Sequence, residues 1–143
     1  MPYTYEYPRP AVCVDIILFD KLDNPTHILL IKRKHPPYEH CWAFPGGFMD
    51  IDETLLEAAN RELMEETGIV NVELSQFKVY DAINRDPRHR TISVAFVGFI
   101  DNNFTKPAPQ DDAEDALWHE LINLPQLAFD HQFILDEIRQ IHV

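Results

Sequence analysis

The sequence predicts an α+β fold built on a mixed β-sheet. Three features carry that prediction: β-branched apolar runs recur along the chain, helical periodicity is confined to two segments, and few stretches have the length of a βαβ crossover. The chain has 143 residues, 45% of them apolar, which suits one domain spanning residues 1–143 with one packed core.

Residues 11–20, AVCVDIILFD, form an apolar run that reads as a buried strand. DKLDNPT follows as a turn, and HILLIKRK (27–34) reads as a second strand, pairing with the first as a hairpin. HPPYEH contains Pro36 and Pro37, which excludes helix and central strand and predicts a surface loop. WAFPGG reads as a short apolar piece ending in a turn. Residues 53–67 predict a helix with Leu55, Ala59 and Leu63 as its inner stripe, flanked by Leu56 and Met64. Gly68 stands where a left-handed residue ends such a helix. Strands are expected around 72–83 and 90–100, then a loop DNNFTKPAPQDDAED and a short strand at ALWHEL. A last helix is expected to turn Phe133, Ile134, Ile138 and Ile141 inward.

The formal net charge is -12. Such a surface repels phosphate backbones, so DNA or RNA is not an expected partner. No apolar run has the length of a membrane span, and MPYTYEYPRP lacks the layout of a signal peptide. A cytoplasmic protein with no membrane partner is expected. Cys13 and Cys41 sit in apolar surroundings without a CxxC partner, and reduced, partly buried thiols are expected.

Chemistry concentrates on the first helix. Glu62, Glu65 and Glu66 stand at i, i+3 and i+4, on the face opposite the apolar stripe. Like charges at that spacing repel by a few tenths of a kcal/mol, while Glu57 and Arg61 add an i, i+4 pair of opposite sign. Glu53 occupies the helix N-terminus, where the dipole favours a carboxylate. A solvated acidic face is the plain alternative. Against it stand Gly46 and Gly47, whose bare backbone lets a ligand approach closely. Carboxylates converging on a backbone carbonyl form the hard oxygen set that Mg²⁺ or Mn²⁺ selects.

The stretch GFMDIDETLLEAANRELMEETGI, residues 47–69, resembles the Nudix box at every fixed position: Gly47, Glu53, Arg61, Glu62, Leu63, Glu65, Glu66, Gly68 and Ile69. A chance match has a probability on the order of 10⁻⁸. The resemblance implies a Nudix fold, an α/β/α sandwich with a mixed sheet between helices. It also implies metal-dependent hydrolysis of a nucleoside diphosphate linked to another group. By the same resemblance Glu65 and Glu66 take metal-ligand positions, and the Gly46 carbonyl takes the backbone-ligand position. Glu62 matches a residue that either ligates metal or accepts the proton of water. Arg61 and Glu53 match an ion pair that orients the others, so Glu53, Arg61, Glu62 and Glu65 form the expected catalytic set. A further acid often completes the metal site from beyond the box. Asp111, Asp112, Glu114 and Asp115 offer one, with Glu114 preferred for its place four residues before Trp118.

The box does not specify the substrate. Arg85, Arg88 and Arg90 cluster in NRDPRHR, either as a basic loop gripping phosphate or ribose, or as solvated charges of a hairpin. RDPRHRTISVAF and LAFDHQFILDEI resemble segments of short ADP-ribose pyrophosphatases, which implies cleavage of ADP-ribose to AMP and ribose 5-phosphate. Two alternatives stay open: a nucleoside triphosphatase acting on substrates such as 8-oxo-dGTP, and a ligand-sensing module without turnover. The intact box and the absence of a winged-helix segment favour an enzyme. Tyr38, Trp42, Phe44 and Phe48 could stack a base, though Trp42 and Phe44 equally suit the core. Phe44 and Gly47 join the three arginines as expected substrate contacts. His35, His40 and His89 read as loop polar groups. An N-terminal arm with Tyr3, Tyr5 and Tyr7 suits cover of a neighbouring subunit, so a homodimer stays open.

Overall fold

The computed structural model describes residues 2–100, 107 and 113–142. Its elements are β1 (Ala11–Phe19), β2 (His27–Arg33), β3 (Trp42–Ala43), β4 (Gly46–Phe48), α1 (Leu55–Thr67), β5 (Leu74–Tyr80), β6 (Thr91–Phe99), β7 (Ala113–Glu120) and α2 (His131–His142). The strands form one sheet in the order β3-β2-β1-β6-β5, with β4 paired to β1 and β7 paired to β2. β1 and β6 run parallel over their whole length, from Ala11 opposite Thr91 to Phe19 opposite Phe99. β5 pairs antiparallel with β6, and β7 pairs antiparallel with β2, so the sheet is mixed as the sequence predicts. The stretch 101–112 lies outside the described residues apart from Pro107, and Asp111 and Asp112 lie outside with it.

The continuous apolar run of β1 follows from burial on both faces. Ile17 and Phe19 join Ile134, Leu135 and Ile138 of α2 in one core cluster. Val14, Ile16 and Leu18 join Ala58, Ala59 and Leu63 of α1 in another. The two-residue period of the strand thus sends alternate side chains to opposite helices, which makes the α/β/α sandwich. Among the described residues no helix is long and apolar enough to cross a membrane.

Three expectations are corrected. β1 and β2 meet as a hairpin only where Phe19 faces Ile28. Beyond that point the strands diverge, β2 following β7 while β1 takes β4 as its neighbour. On α2, Phe133 is 59% exposed and Ile141 is 67% exposed, whereas the unpredicted Leu135 is fully buried. Helical rotation decides this, because Ile134, Leu135 and Ile138 form a stripe at spacings of one, three and four, with Phe133 and Ile141 at its edges. α1 begins at Leu55 rather than at 53. Thr54 is its N-cap, accepting from the Glu57 N–H at 3.2 Å while the Glu57 carboxylate accepts from the Thr54 N–H at 2.9 Å. Glu57 therefore closes a capping box rather than serving the expected pair with Arg61.

Replacing Ile138 by Ala should cost about 2–5 kcal/mol in urea unfolding, because the cavity opens in the core under α2. Ile141→Ala should change stability by no more than about 0.5 kcal/mol, and an equal loss from both variants would contradict this placement of the helix.

Candidate active site

The divergence of β1 and β2 leaves a cavity of about 440 Å³. Cys13 and Asp15 of β1, Arg33 of β2, Phe44, the β4 glycines and Glu62, Glu65 and Glu66 of α1 line it. Ion-pair geometry defines its α1 side. Arg61 Nε donates to both Glu53 oxygens at 2.9 and 3.2 Å, and Nη2 donates to Glu53 at 2.7 Å and to the Phe48 carbonyl at 3.0 Å. Nη1 donates to Glu62 at 2.9 Å and to Glu65 at 3.1 Å. One guanidinium therefore ties the residue before the helix cap, the strand β4 and two successive helix turns together. The Arg61 contact, assisted by the Asp50 N–H at 2.8 Å, holds the Glu53 carboxyl down at about 2. Glu53 lies one residue before the cap, so Arg61 and not the helix dipole is its principal partner.

Glu66 departs from the expected exposed face. It is buried, and one carboxylate oxygen accepts the Gly46 N–H at 2.6 Å. Burial pushes its carboxyl well above the ordinary carboxylate range. Burial also raises Glu62, against the opposing pull of Arg61. A Cβ on Gly47 would overlap the Glu62 carboxylate, and a Cβ on Gly46 would overlap the Val14 carbonyl. The glycines are therefore needed for close approach between β1, β4 and α1. Glu62 and Glu65 each accept from Arg61 through one oxygen, and a carboxylate has about four lone-pair sites. Carboxylate oxygens beside bare backbone are the donor type that a hard divalent cation takes, although among the described residues no three acids stand close enough to form a ready-made metal site.

The opposite wall was largely illegible in the sequence. Asp15 is buried in β1, where Ser93 Oγ donates to it, Arg85 Nη2 lies 3.8 Å away and His131 Nε2 lies 3.4 Å away. Burial alone would raise its carboxyl, but His131, Ser93 and Arg85 together hold it below the ordinary value. The Phe44 N–H donates to His131 Nδ1 at 3.1 Å, which leaves Nε2 as the edge facing Asp15. Arg85 is also bidentate on Asp130, at 2.8 and 3.0 Å. The signals in the sequence were a lone Asp inside an apolar strand, since buried charges are usually paired, and the NRDPRHR and LAFDHQFILDEI segments that hold Arg85, Asp130 and His131. Cys13 lines the same wall, and burial next to Asp15 pushes its thiol up to about 12, which removes it as a nucleophile.

The expected substrate residues divide. Arg85 and Arg88 line the cavity, but both are engaged by carboxylates, Arg88 bidentate on Asp86 at 2.7 and 3.1 Å. Arg90 does not line it and donates instead to the Asp81 and Ala82 carbonyls. Phe44 is buried with its ring stacked on His131 at 4.3 Å, and Trp42 packs against His119 at 4.4 Å. Glu114 stands on β7, paired with His40 at 3.0 Å and Lys32 at 3.8 Å, and does not line the cavity. Phe129, which the sequence did not single out, does line it.

The sheet, the glutamate helix and the cavity between them define a Nudix hydrolase. The NUDIX domain model matches residues 9–138, and the chain belongs to that family. An ADP-ribose pyrophosphatase of Methanocaldococcus jannaschii is 43% identical over 131 residues, covering 92% of this chain and 74% of that protein. The NUDIX domain of Shewanella oneidensis NrtR, solved in complex with ADP ribose, superposes with a TM-score of 0.85 at 26% identity. That match covers 94% of this chain and 89% of the NrtR domain. A bifunctional NMN adenylyltransferase/ADP ribose pyrophosphatase from Francisella tularensis, complexed with AMP and a manganese ion, gives a TM-score of 0.81 at 29% identity. This chain covers 43% of that longer protein, with 95% of its own length. Hydrolases of the family generally require a divalent cation.

Two outcomes follow from this geometry. Gly47→Ala should leave the thermal melt nearly intact but displace Glu62 and lower turnover, and wild-type turnover in that variant would contradict the close approach. In a carboxyl NMR titration of the metal-free protein, Glu53 should titrate at about 2 and return toward its ordinary 4.5 in Arg61→Ala. Because the folded value is depressed, this contact stabilises the fold above about pH 4.5 and is lost as pH falls through about 2.

Proposed function

We propose that the chain hydrolyses ADP-ribose to AMP and ribose 5-phosphate with Mg²⁺ or Mn²⁺. The observation that carries this reading is the intact Arg61-centred carboxylate set, lining one cavity with Arg85 and Arg88. The relative that shares 43% identity, and the neighbours that hold ADP ribose or AMP, support the choice of substrate. Glu65, Glu66 and the Gly46 carbonyl would hold the cation, with Arg61 fixing the orientation of Glu65 and Glu53 fixing that of Arg61. When bound, the cation supplies charge neutralisation for a diphosphate entering an acidic protein.

The remaining work falls to the chain's own groups. Water attacks one phosphorus of the diphosphate, the bridging P–O bond breaks and a phosphate monoester leaves. The Glu62 carboxylate accepts the proton of that water, and its burial raises its affinity for the proton. Arg61 holds Glu62 and Glu65 on one side of the cavity, so neither must be reoriented during the step. Arg85 keeps the β5–β6 loop against the start of α2 through Asp130, which fixes the far wall of the cavity.

Glu65→Gln and Glu66→Gln should each lower kcat at least about a hundredfold, the rate equivalent of ~2.7 kcal/mol. The assay is release of AMP from ADP-ribose at saturating Mg²⁺, with a melt to show that the fold persists. A loss of only a few-fold in either variant would remove that residue from the cation site. A much higher kcat/KM for 8-oxo-dGTP than for ADP-ribose would overturn the substrate.

A further inference from the structure

The hydrolytic step uses neither Asp15 nor His131, yet both are buried polar residues of the cavity wall. Their place is explained by the segment that enters β4. This segment runs antiparallel to β1, and the bonds of an antiparallel ladder fall on alternate residues. The Ile16 N–H donates to the Pro45 carbonyl at 2.8 Å, and the Met49 N–H donates to the Val12 carbonyl at 3.0 Å. Asp15 faces Gly46 between those bonds, so the backbone groups of Gly46 point away from β1. On that outward edge its N–H meets Glu66 at 2.6 Å. The Gly46 carbonyl shares the edge and faces the carboxylates of α1.

The same edge is gripped upstream of Gly46. The Phe44 N–H donates to His131 Nδ1 at 3.1 Å, and the Trp42 carbonyl accepts the Ala128 N–H at 2.8 Å. Pro45 has no N–H, so Phe44 supplies the last backbone donor before Gly46. Glu66 belongs to the proposed cation ligands, whereas His131 stands outside them. The His131 ring is held on its face and at both nitrogens. It stacks on Phe44 at 4.3 Å and 15°, and its Nε2 lies 3.4 Å from Asp15. Since Nδ1 accepts a hydrogen bond, the ring proton sits on Nε2, directed at Asp15. Asp15 in turn accepts from Ser93 Oγ and has Arg85 Nη2 at 3.8 Å.

We propose that His131 is a positioning residue of the cation site. Its Nδ1 fixes the Phe44–Gly46 backbone, and with it the Gly46 carbonyl, against the glutamates of α1. Asp15, steadied by Ser93 and Arg85, fixes the tautomer and the plane of the ring. The first residue of α2 thereby acts on a backbone ligand in β4 that it does not touch. The inference rests on the cation chemistry of the proposed function and adds to it a residue from the opposite wall.

The test is Mn²⁺ binding to the full chain without substrate, read from the EPR signal of free Mn²⁺. The site counted is the one that Glu65→Gln weakens. His131→Leu keeps apolar bulk beside Phe44 but has no acceptor, while His131→Asn is smaller yet brings an amide oxygen to the place of Nδ1. Losing a group that orients a metal ligand typically costs about 10- to 100-fold in affinity, so His131→Leu should weaken Mn²⁺ by that factor and His131→Asn should stay within about threefold of wild type. In the metal-free protein, NMR should show the Phe44 amide exchanging faster in His131→Leu and staying slow in His131→Asn. A role in packing alone predicts the reverse order, because leucine fills the space and asparagine does not, and that order overturns the proposal. An equal loss in both variants overturns it too, as does wild-type affinity in His131→Leu, or a wild type without a site that Glu65→Gln weakens. Thermal melts establish folding. If His131→Leu does not fold, His131→Asn decides: a tenfold loss of Mn²⁺ affinity overturns the proposal, and retained affinity with slow Phe44 exchange upholds it. The expected Mn²⁺ results in a chain that does not cleave ADP-ribose would overturn the substrate and leave the role of His131 standing.

Discussion

The structure depends on one guanidinium that has to hold several carboxylates together. Glu53, Glu62 and Glu65 all touch Arg61, and Asp50 lies 3.5 Å from it. Left alone, these anions would repel one another and fray the start of α1. Arginine carries five N–H donors in a rigid planar fork, and contacts to Glu53, Glu62, Glu65 and the Phe48 carbonyl engage all three of its nitrogens. Lysine, a point charge on a flexible stem, could not reproduce that fork. The acidic helix face is therefore compatible with a stable fold, and it is oriented before any ligand arrives.

A second network governs the opposite wall by the same logic at greater depth. Asp15, Ser93, Arg85, Asp130 and His131 come from β1, β6, the β5–β6 loop and the start of α2. A lone charge in the middle of β1 would be costly, whereas this set places partners around it. Its reach extends to Phe44 through the His131 ring, and so to the segment leading into β4. The cavity is thus framed by two ion-pair systems. One clusters the carboxylates of α1, and the other binds the flanking loop to α2.

Local signals in the sequence were reliable where the chemistry is local. The i, i+3, i+4 spacing of the glutamates, the glycine pair and the stop at Gly68 are contained within about twenty residues. Gly68 does adopt φ of 76° and caps α1 through the Met64 carbonyl. What misled was the inference of exposure from spacing. Glu66 lies three residues after Leu63, close enough to the inner stripe for the sheet to cover it. Likewise the three arginines of NRDPRHR look alike in sequence. In the fold one is 3% exposed and locked on Asp130, one lines the cavity while paired with Asp86, and one braces a turn.

The sequence by itself determined the two-faced burial of β1, the position and end of the glutamate helix, and the family to which the chain belongs. Each is a periodicity or spacing that the backbone geometry of one element enforces. Tertiary structure alone decided that β1 and β2 part after a single facing pair, which opens the cavity. It also decided that Asp15 meets Ser93 and His131, residues 78 and 116 positions away along the chain. Pairings across that distance depend on which strands become neighbours, and no local propensity encodes that choice.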